Sequence, residues 1–220
     1  MNNYIFDLDG TIINSSKEVL LCFEKAFERA NYVIDKSRLT PNVIGPPLKE
    51  IIKLIAPNIT EDYIQTVMDI FREIYDYEQN DISEYYDGIE NFLHNARLDG
   101  KKLFIATYKP EKPTRRIVKQ FNMNMFDDIY TIDKFGKHIT KTEMIEDIIN
   151  KYSLKKSETV MIGDAASDVI SAKEAGITGI GVLWGYGEDK TELIQNADFV
   201  IKNIDELNAK IEILETNISV

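Results

Sequence analysis

The chain has 220 residues, 44% of them hydrophobic, which suits one or two globular domains with full cores. Its formal net charge of −11 argues against a surface for nucleic acid polymers, which needs clustered Lys and Arg, but leaves room for a small anionic substrate. No stretch approaches the ~20 apolar residues of a membrane span, so no membrane partner is expected. Met1-Asn2-Asn3 lacks the basic start and apolar run of a signal peptide, and a cytoplasmic location is the expectation. A short apolar run, Tyr4-Ile5-Phe6, ends abruptly at Asp7-Leu8-Asp9-Gly10-Thr11, the pattern of a buried parallel strand bounded by a glycine turn. From about Ser15 to Asn80 the period becomes helical: Val19, Leu20, Phe23, Phe27 and Ala30, then Leu48, Ile51, Ile52 and Ile55, then Ile64, Val67, Met68, Phe71, Ile74 and Tyr75. Cys22 falls in the first of these runs and reads as a buried structural thiol; being alone, it rules out an internal disulfide. Pro41, Gly45, Pro46 and Pro47 mark a shaped loop between helices.

Beyond residue 84 strands and helices alternate. The expected order is helix 89–98, strand 102–106, helix 114–121, strand 128–132, and helix 142–152 with Lys141 at its start. Strand 159–162, helix 168–175, strand 179–183, strand 199–201 and a terminal helix from 204 to about 215 follow. This alternation predicts a doubly wound parallel α/β sheet, Rossmann-like, covered by helices on both faces. The all-helical run reads as an inserted subdomain over residues 15–82, leaving 1–14 and 83–220 as the core domain.

Ligands in such sheets sit at the carboxyl ends of the strands. The residues placed there are Asp7 and Asp9, Thr107, and Asp164 with Asp168 one turn later; Lys141 joins them from its helix start. Clustered carboxylates repel one another unless a cation neutralises them. Oxygen ligands without Cys or His select Mg²⁺ over zinc. Such a metal would let the anionic Asp7 approach an anionic phosphate. The Thr107 hydroxyl and the Tyr108 backbone N–H are placed to cradle a phosphoryl group, and Lys141 supplies a compact positive charge. Gly10 lets the chain turn sharply past the two acids.

The set resembles the haloacid dehalogenase-like superfamily, in its phosphatase branch and nearest the phosphoglycolate phosphatase-like members. The first family motif stands here as Tyr4 to Thr11, the second as Phe104-Ile105-Ala106-Thr107, the third as Lys141, and the fourth as Gly163-Asp164-Ala165-Ala166-Ser167-Asp168. The resemblance implies an enzyme, a phosphoric monoester hydrolase acting on a small phosphorylated metabolite. Asp7 would be the nucleophile that forms an aspartyl-phosphate, and Asp9 the acid that protonates the leaving oxygen and then activates water. It implies Mg²⁺ held by the Asp7 carboxylate, the Asp9 carbonyl and Asp164, with Asp168 orienting water or Lys141. Residues 15–82 would be a cap that excludes water and helps select the leaving group, with Gly45-Pro46-Pro47-Leu48 approaching the substrate.

Several residues have two readings. Lys137, in Gly136-Lys137-His138-Ile139-Thr140-Lys141, rivals Lys141 for the charge role. Asp168 can cap its helix as well as serve the site. Lys109 either joins the phosphate pocket or only shapes the loop before Pro110. Trp184-Gly185-Tyr186-Gly187 either lines the site or packs on the core or on a partner subunit, and a homodimer stays open. His94 and His138 read as surface residues, and the acidic stretches 76–81 and 188–192 as solvated faces. Rival functions on the same fold are a β-phosphoglucomutase-type mutase, a 5′-nucleotidase, a pyrophosphatase and a non-catalytic binding protein. Retention of all four acids weighs against the last.

Overall fold

The computed structural model describes residues 1–78, 82–187 and 189–218. From β1 (Asn3–Phe6) the chain passes a tight turn and the short β2 (Ile13–Asn14) into three helices, α1 (Ser16–Arg29), α2 (Leu48–Ile55) and α3 (Glu61–Tyr77). The short β3 (Glu84–Tyr85) leads to α4 (Ile89–Leu98), β4 (Lys102–Thr107), α5 (Glu111–Gln120) and β5 (Asp128–Thr131). Then come α6 (Lys141–Tyr152), β6 (Thr159–Gly163), α7 (Ala166–Ala175), β7 (Thr178–Val182), α8 (Thr191–Asn196), β8 (Phe199–Ile201) and α9 (Ile204–Ile218). The chain forms two compact units: Met1–Asn14, Tyr85–Gly185 and Asp189–Val220 in one, Ser15–Glu84 with Tyr186–Glu188 in the other.

In the first unit six strands run parallel in the order β5-β4-β1-β6-β7-β8, the doubly wound arrangement expected from the alternating pattern. The strands are apolar on both faces because side chains alternate with period two and both faces are covered. Tyr4, Phe6, Leu103, Ile105, Val160 and Ile162 pack on one side with Phe92, Ile117 and Leu207. Ile5, Phe104, Ala106 and Met161 pack on the other with Met144, Ile145 and Ile148 of α6. The second unit has a core of its own, in which Phe23 and Phe27 of α1 meet Ile52, Val67 and Phe71; Cys22 is buried within it.

Helix starts moved from the expected positions for local reasons. α5 begins at Glu111 rather than 114, because Pro113 is tolerated in a first turn that needs no N–H partner, and Asp133 accepts the Glu111 N–H at 2.9 Å. α6 begins at Lys141, fixed by a capping box in which Thr140 and Glu143 satisfy each other's backbone N–H groups. The two-residue strands and the six-residue α8 were not anticipated, since elements so short carry no periodic signal. Within the acidic stretches, Gln79, Asn80, Asp81 and Glu188 lie outside the described residues. Among the described residues no helix is long and apolar enough to cross a membrane.

Candidate active site

The direction of winding reverses beside β1: the chain places β4 and β5 on one side of it, then returns to place β6, β7 and β8 on the other. Loops after β1 and β6 therefore diverge and leave a crevice at their carboxyl ends. Asp7 follows β1 directly, its N–H donating to the Ile162 carbonyl at 2.9 Å, and Asp164 follows β6. The turn after Asp7 is tight, with the Ile12 and Ile13 N–H groups both reaching back 3.0 Å to the Leu8 carbonyl. Gly10 makes it possible twice over. Its φ is +80°, and a Cβ there would overlap the Asp164 carboxylate.

Asp7, Asp164 and Asp168 are all buried, and each offers a carboxylate oxygen within 4.8 Å of the others. Lys141, 1% exposed, sits among them: its ammonium lies 3.1 Å from Asp7 Oδ1 and donates to Asp168 Oδ1. Burial works to lower the Lys141 pKa, but the Asp168 and Asp7 carboxylates outweigh it and hold the ammonium charged. Burial, with Asp168 and Asp164 adding repulsion, pushes Asp7 up to about 7, against the pull of Lys141 and the Leu8 N–H. Despite its ion pair, Asp7 Oδ1 lacks a hydrogen bond of proper geometry. Asp164 Oδ1 accepts from the Thr11 hydroxyl at 3.2 Å.

Asp168 has both readings at once. Its Oδ2 accepts the Ala165 N–H at 3.0 Å, capping α7, while Oδ1 takes Lys141. Gly163 leaves room for it, since a Cβ at that position would overlap the Asp168 side chain. Lys137 is exposed, as are His94 and His138, so among the rivals for the buried charge the structure brings only Lys141 to the acids. Thr107 is buried at the end of β4, its hydroxyl accepting the Lys109 N–H at 3.2 Å. Tyr108 is half-exposed and contributes a side chain that the sequence reading did not use. Its hydroxyl accepts the Lys141 N–H at 3.2 Å, and its ring lies 5.0 Å from the Lys141 ammonium.

Three further groups belong to this cluster. The Lys109 ammonium reaches both oxygens of Asp9, at 3.0 and 3.2 Å. Lys190 donates to the Asp164 carbonyl at 2.9 Å and lies 3.9 Å from its carboxylate; burial lowers its pKa. The described part of the 188–192 stretch, 189–192, is thus more than a solvated face, because Lys190 turns inward. In the run Trp184-Gly185, the indole N–H donates to the Thr11 carbonyl at 3.1 Å, and Gly185 presses on Asp164 so closely that a Cβ would overlap it. Tyr186, in the other unit, accepts the Ser15 N–H at 2.6 Å. Trp184 and Gly185 therefore pack against the turn after β1 and support Asp164. The buried carboxylates of Asp7, Asp164 and Asp168 are thus flanked by the Lys141 and Lys190 ammonium groups, while Lys109 pairs with the more exposed Asp9.

A sequence model of the haloacid dehalogenase-like hydrolase family matches residues 4–182. The chain is 29% identical over 211 residues to the pyrophosphatase PpaX of Halalkalibacterium halodurans, covering 94% of this chain and 95% of that protein. It is 24% identical over 210 residues to a phosphoglycolate phosphatase of Vibrio parahaemolyticus, covering 92% of each. Against the tyrosine-protein kinase PtkA of Mycobacterium tuberculosis it is 28% identical over 199 residues; those cover 90% of this chain but only 65% of the length of that protein. A crystal structure from Clostridium acetobutylicum, described as a predicted phosphatase, superposes with a TM-score of 0.79 at 30% identity, covering 96% of this chain and 97% of that one.

Proposed function

Because the chain belongs to the haloacid dehalogenase-like hydrolase family, we propose that it is a magnesium-dependent phosphatase that hydrolyses small phosphomonoesters, phosphoglycolate-like acids foremost, through an aspartyl-phosphate on Asp7. The observation that carries this reading is the setting of Asp7: buried at a strand end, one oxygen short of a hydrogen bond, beside a buried ammonium and two further carboxylates. The donor set suits Mg²⁺, since it is all oxygen, gathers three carboxylates, and holds neither His nor Cys. Both Asp168 oxygens are already engaged, which favours Asp7, the Asp9 carbonyl and Asp164 as the direct ligands and Asp168 as the residue that orients Lys141. When bound, the ion would offset the charge of phosphate and nucleophile.

The chain's own groups account for the remaining steps. A carboxylate oxygen of Asp7 attacks phosphorus, and the bond from phosphorus to the leaving oxygen breaks as Asp9 gives that oxygen a proton. Water then attacks the same phosphorus, its proton passing to Asp9, and the bond to Asp7 breaks to release phosphate. Lys141 and the Thr107 hydroxyl hold the phosphoryl oxygens throughout. The helical unit, inserted in the chain between Asp9 and Thr107, acts as a cap that sets the leaving group accepted. A second reading, hydrolysis of pyrophosphate, is favoured by the nearly full-length likeness to PpaX.

The test is phosphate release from phosphoglycolate, nucleoside monophosphates, sugar phosphates and pyrophosphate, with Mg²⁺ and with a chelator, in wild type and Asp7→Asn. Metal-dependent release that vanishes in Asp7→Asn is the expected result, and the ranking across the panel separates the two readings. Full activity in the chelator would remove the metal; near-wild-type activity in Asp7→Asn would remove the covalent step.

A further inference from the structure

Asp9 and Lys109 lie a hundred residues apart in the chain but on adjacent loops, because β1 and β4 pair in parallel with Phe6 opposite Ile105. The Lys109 ammonium contacts both oxygens of the Asp9 carboxylate, at 3.2 and 3.0 Å. A contact to one oxygen would leave the carboxylate free to rotate; a contact to both fixes its plane as well as its place. The Lys109 side chain is 4% exposed whereas that of Asp9 is 24% exposed, so the pair is anchored at its lysine end in the protein interior. Lys109 is itself held at its backbone. Its N–H donates to the Thr107 hydroxyl at 3.2 Å, its carbonyl accepts from the Thr114 hydroxyl at 3.4 Å, and Pro110 stiffens the next link. A lysine buried this deeply costs free energy unless it is paired, and its frame leaves the ammonium little freedom to find another position.

We infer that Lys109 is a positioning residue that holds the Asp9 carboxylate in the orientation needed to pass a proton; this rests on the phosphatase reading above. Lys141 serves the nucleophile and Lys109 serves the acid–base group, so the two lysines divide the site between them. Proton transfer demands hydrogen-bond reach to the reacting oxygen, and a displacement of about 1 Å can cost on the order of 10²-fold in rate. The two steps respond differently when the leaving group needs no proton. With p-nitrophenyl phosphate the nitrophenolate departs unaided, so formation of the aspartyl-phosphate is spared. The attack of water, whose proton passes to Asp9, is slowed, and the covalent intermediate accumulates.

The experiment compares wild type, Lys109→Met, Lys109→Gln and Lys109→Arg with saturating p-nitrophenyl phosphate and Mg²⁺. It reads kcat, KM and the fraction of chain found as aspartyl-phosphate by intact mass after acid quench. We expect Lys109→Met to lose kcat by up to about 10²-fold with KM falling in step, so that kcat/KM for this substrate stays near wild type, as slowed breakdown of a covalent intermediate requires. Its aspartyl-phosphate fraction should rise several-fold above wild type, and Lys109→Arg should recover part of both. If Lys109→Met does not fold, Lys109→Gln, which keeps a donor without the charge, is read in the same way. A change confined to KM would make Lys109 a substrate-binding residue, and wild-type kcat and occupancy in the variants would make the pairing merely structural; either result overturns the inference. Wild type that neither turns over nor forms the intermediate would instead overturn the phosphatase reading itself.

Discussion

At Gly185 a Cβ would overlap both the carboxylate and the Cβ of Asp164, and the neighbouring backbone is anchored where the Trp184 indole donates to the Thr11 carbonyl at 3.1 Å. Neither side has a flexible tail that could swing away, so Gly185→Ala must move Asp164. Disturbing a group that orients a metal ligand typically lowers metal affinity by ~10–100-fold. Calorimetric titration of Mg²⁺ into Gly185→Ala should show a loss of that size with the far-ultraviolet spectrum unchanged; wild-type affinity would take Asp164 out of the ligand set. Asp7 is the complementary case. Burial, with added repulsion from Asp168 and Asp164, raises its pKa to about 7 against the pull of Lys141, which means the folded chain disfavours a charge there. Asp7→Asn removes the charge while keeping shape, so it should abolish phosphate release without lowering the denaturation midpoint of the metal-free protein.

Edge strands invite pairing with other chains, and β5 is the outer strand on one side of the sheet. Its exposed backbone groups are taken up by its own neighbourhood. The Ile129 N–H donates to the Asp128 carboxylate at 2.8 Å, and the Ile129 carbonyl accepts Lys134 Nζ at 2.6 Å. Lys134 and Lys151 both pair with Asp128, at 2.7 and 2.8 Å. Burial alone would raise the Asp128 pKa, but the hydrogen bonds from Lys134, Lys151 and the Ile129 N–H outweigh it and hold the group at about 2 against an ordinary 3.8. A depressed carboxylate contributes stability that is present above the unfolded value and is lost as pH falls through the folded one. Asp128→Asn should therefore be less stable than wild type at pH 7, and the difference should close between about pH 4 and about pH 2. Urea unfolding of both chains across that range checks it, and a gap that persists unchanged at low pH would contradict the ion-pair account.

The two units have separate hydrophobic cores: every residue of the helical unit's cluster lies between Cys22 and Tyr75, and none of the sheet unit's clusters draws on that range. Phe23 is fully buried there, with its ring centroid 4.3 Å from that of Phe71. Truncating such a residue costs about 3–5 kcal/mol. Phe23→Ala should lower the unfolding transition of the helical unit, seen by calorimetry as a separated first step, while Mg²⁺ affinity of the sheet unit stays at its wild-type value. A single transition shifted as a whole would show that the units unfold together.

What the sequence by itself determined is local. Apolar runs ending in Asp-x-Asp-Gly-Thr and Gly-Asp-x-x-x-Asp announce strand ends, because period, turn residues and strand-terminal acids are all read within ten residues. Asp7, Asp9, Thr107, Asp164 and Asp168 were legible for that reason, and so was the doubly wound sheet. Lys141 and Lys137 sit four residues apart in one loop-to-helix passage, and only burial separates them: one lies among carboxylates, the other is exposed. Lys109 on Asp9, Lys190 on the Asp164 carbonyl and Gly185 against the Asp164 side chain had no local signal at all. Each depends on which strands are neighbours, and that is decided by long-range pairing of a buried sheet, where residues far apart in the chain become adjacent once the core closes.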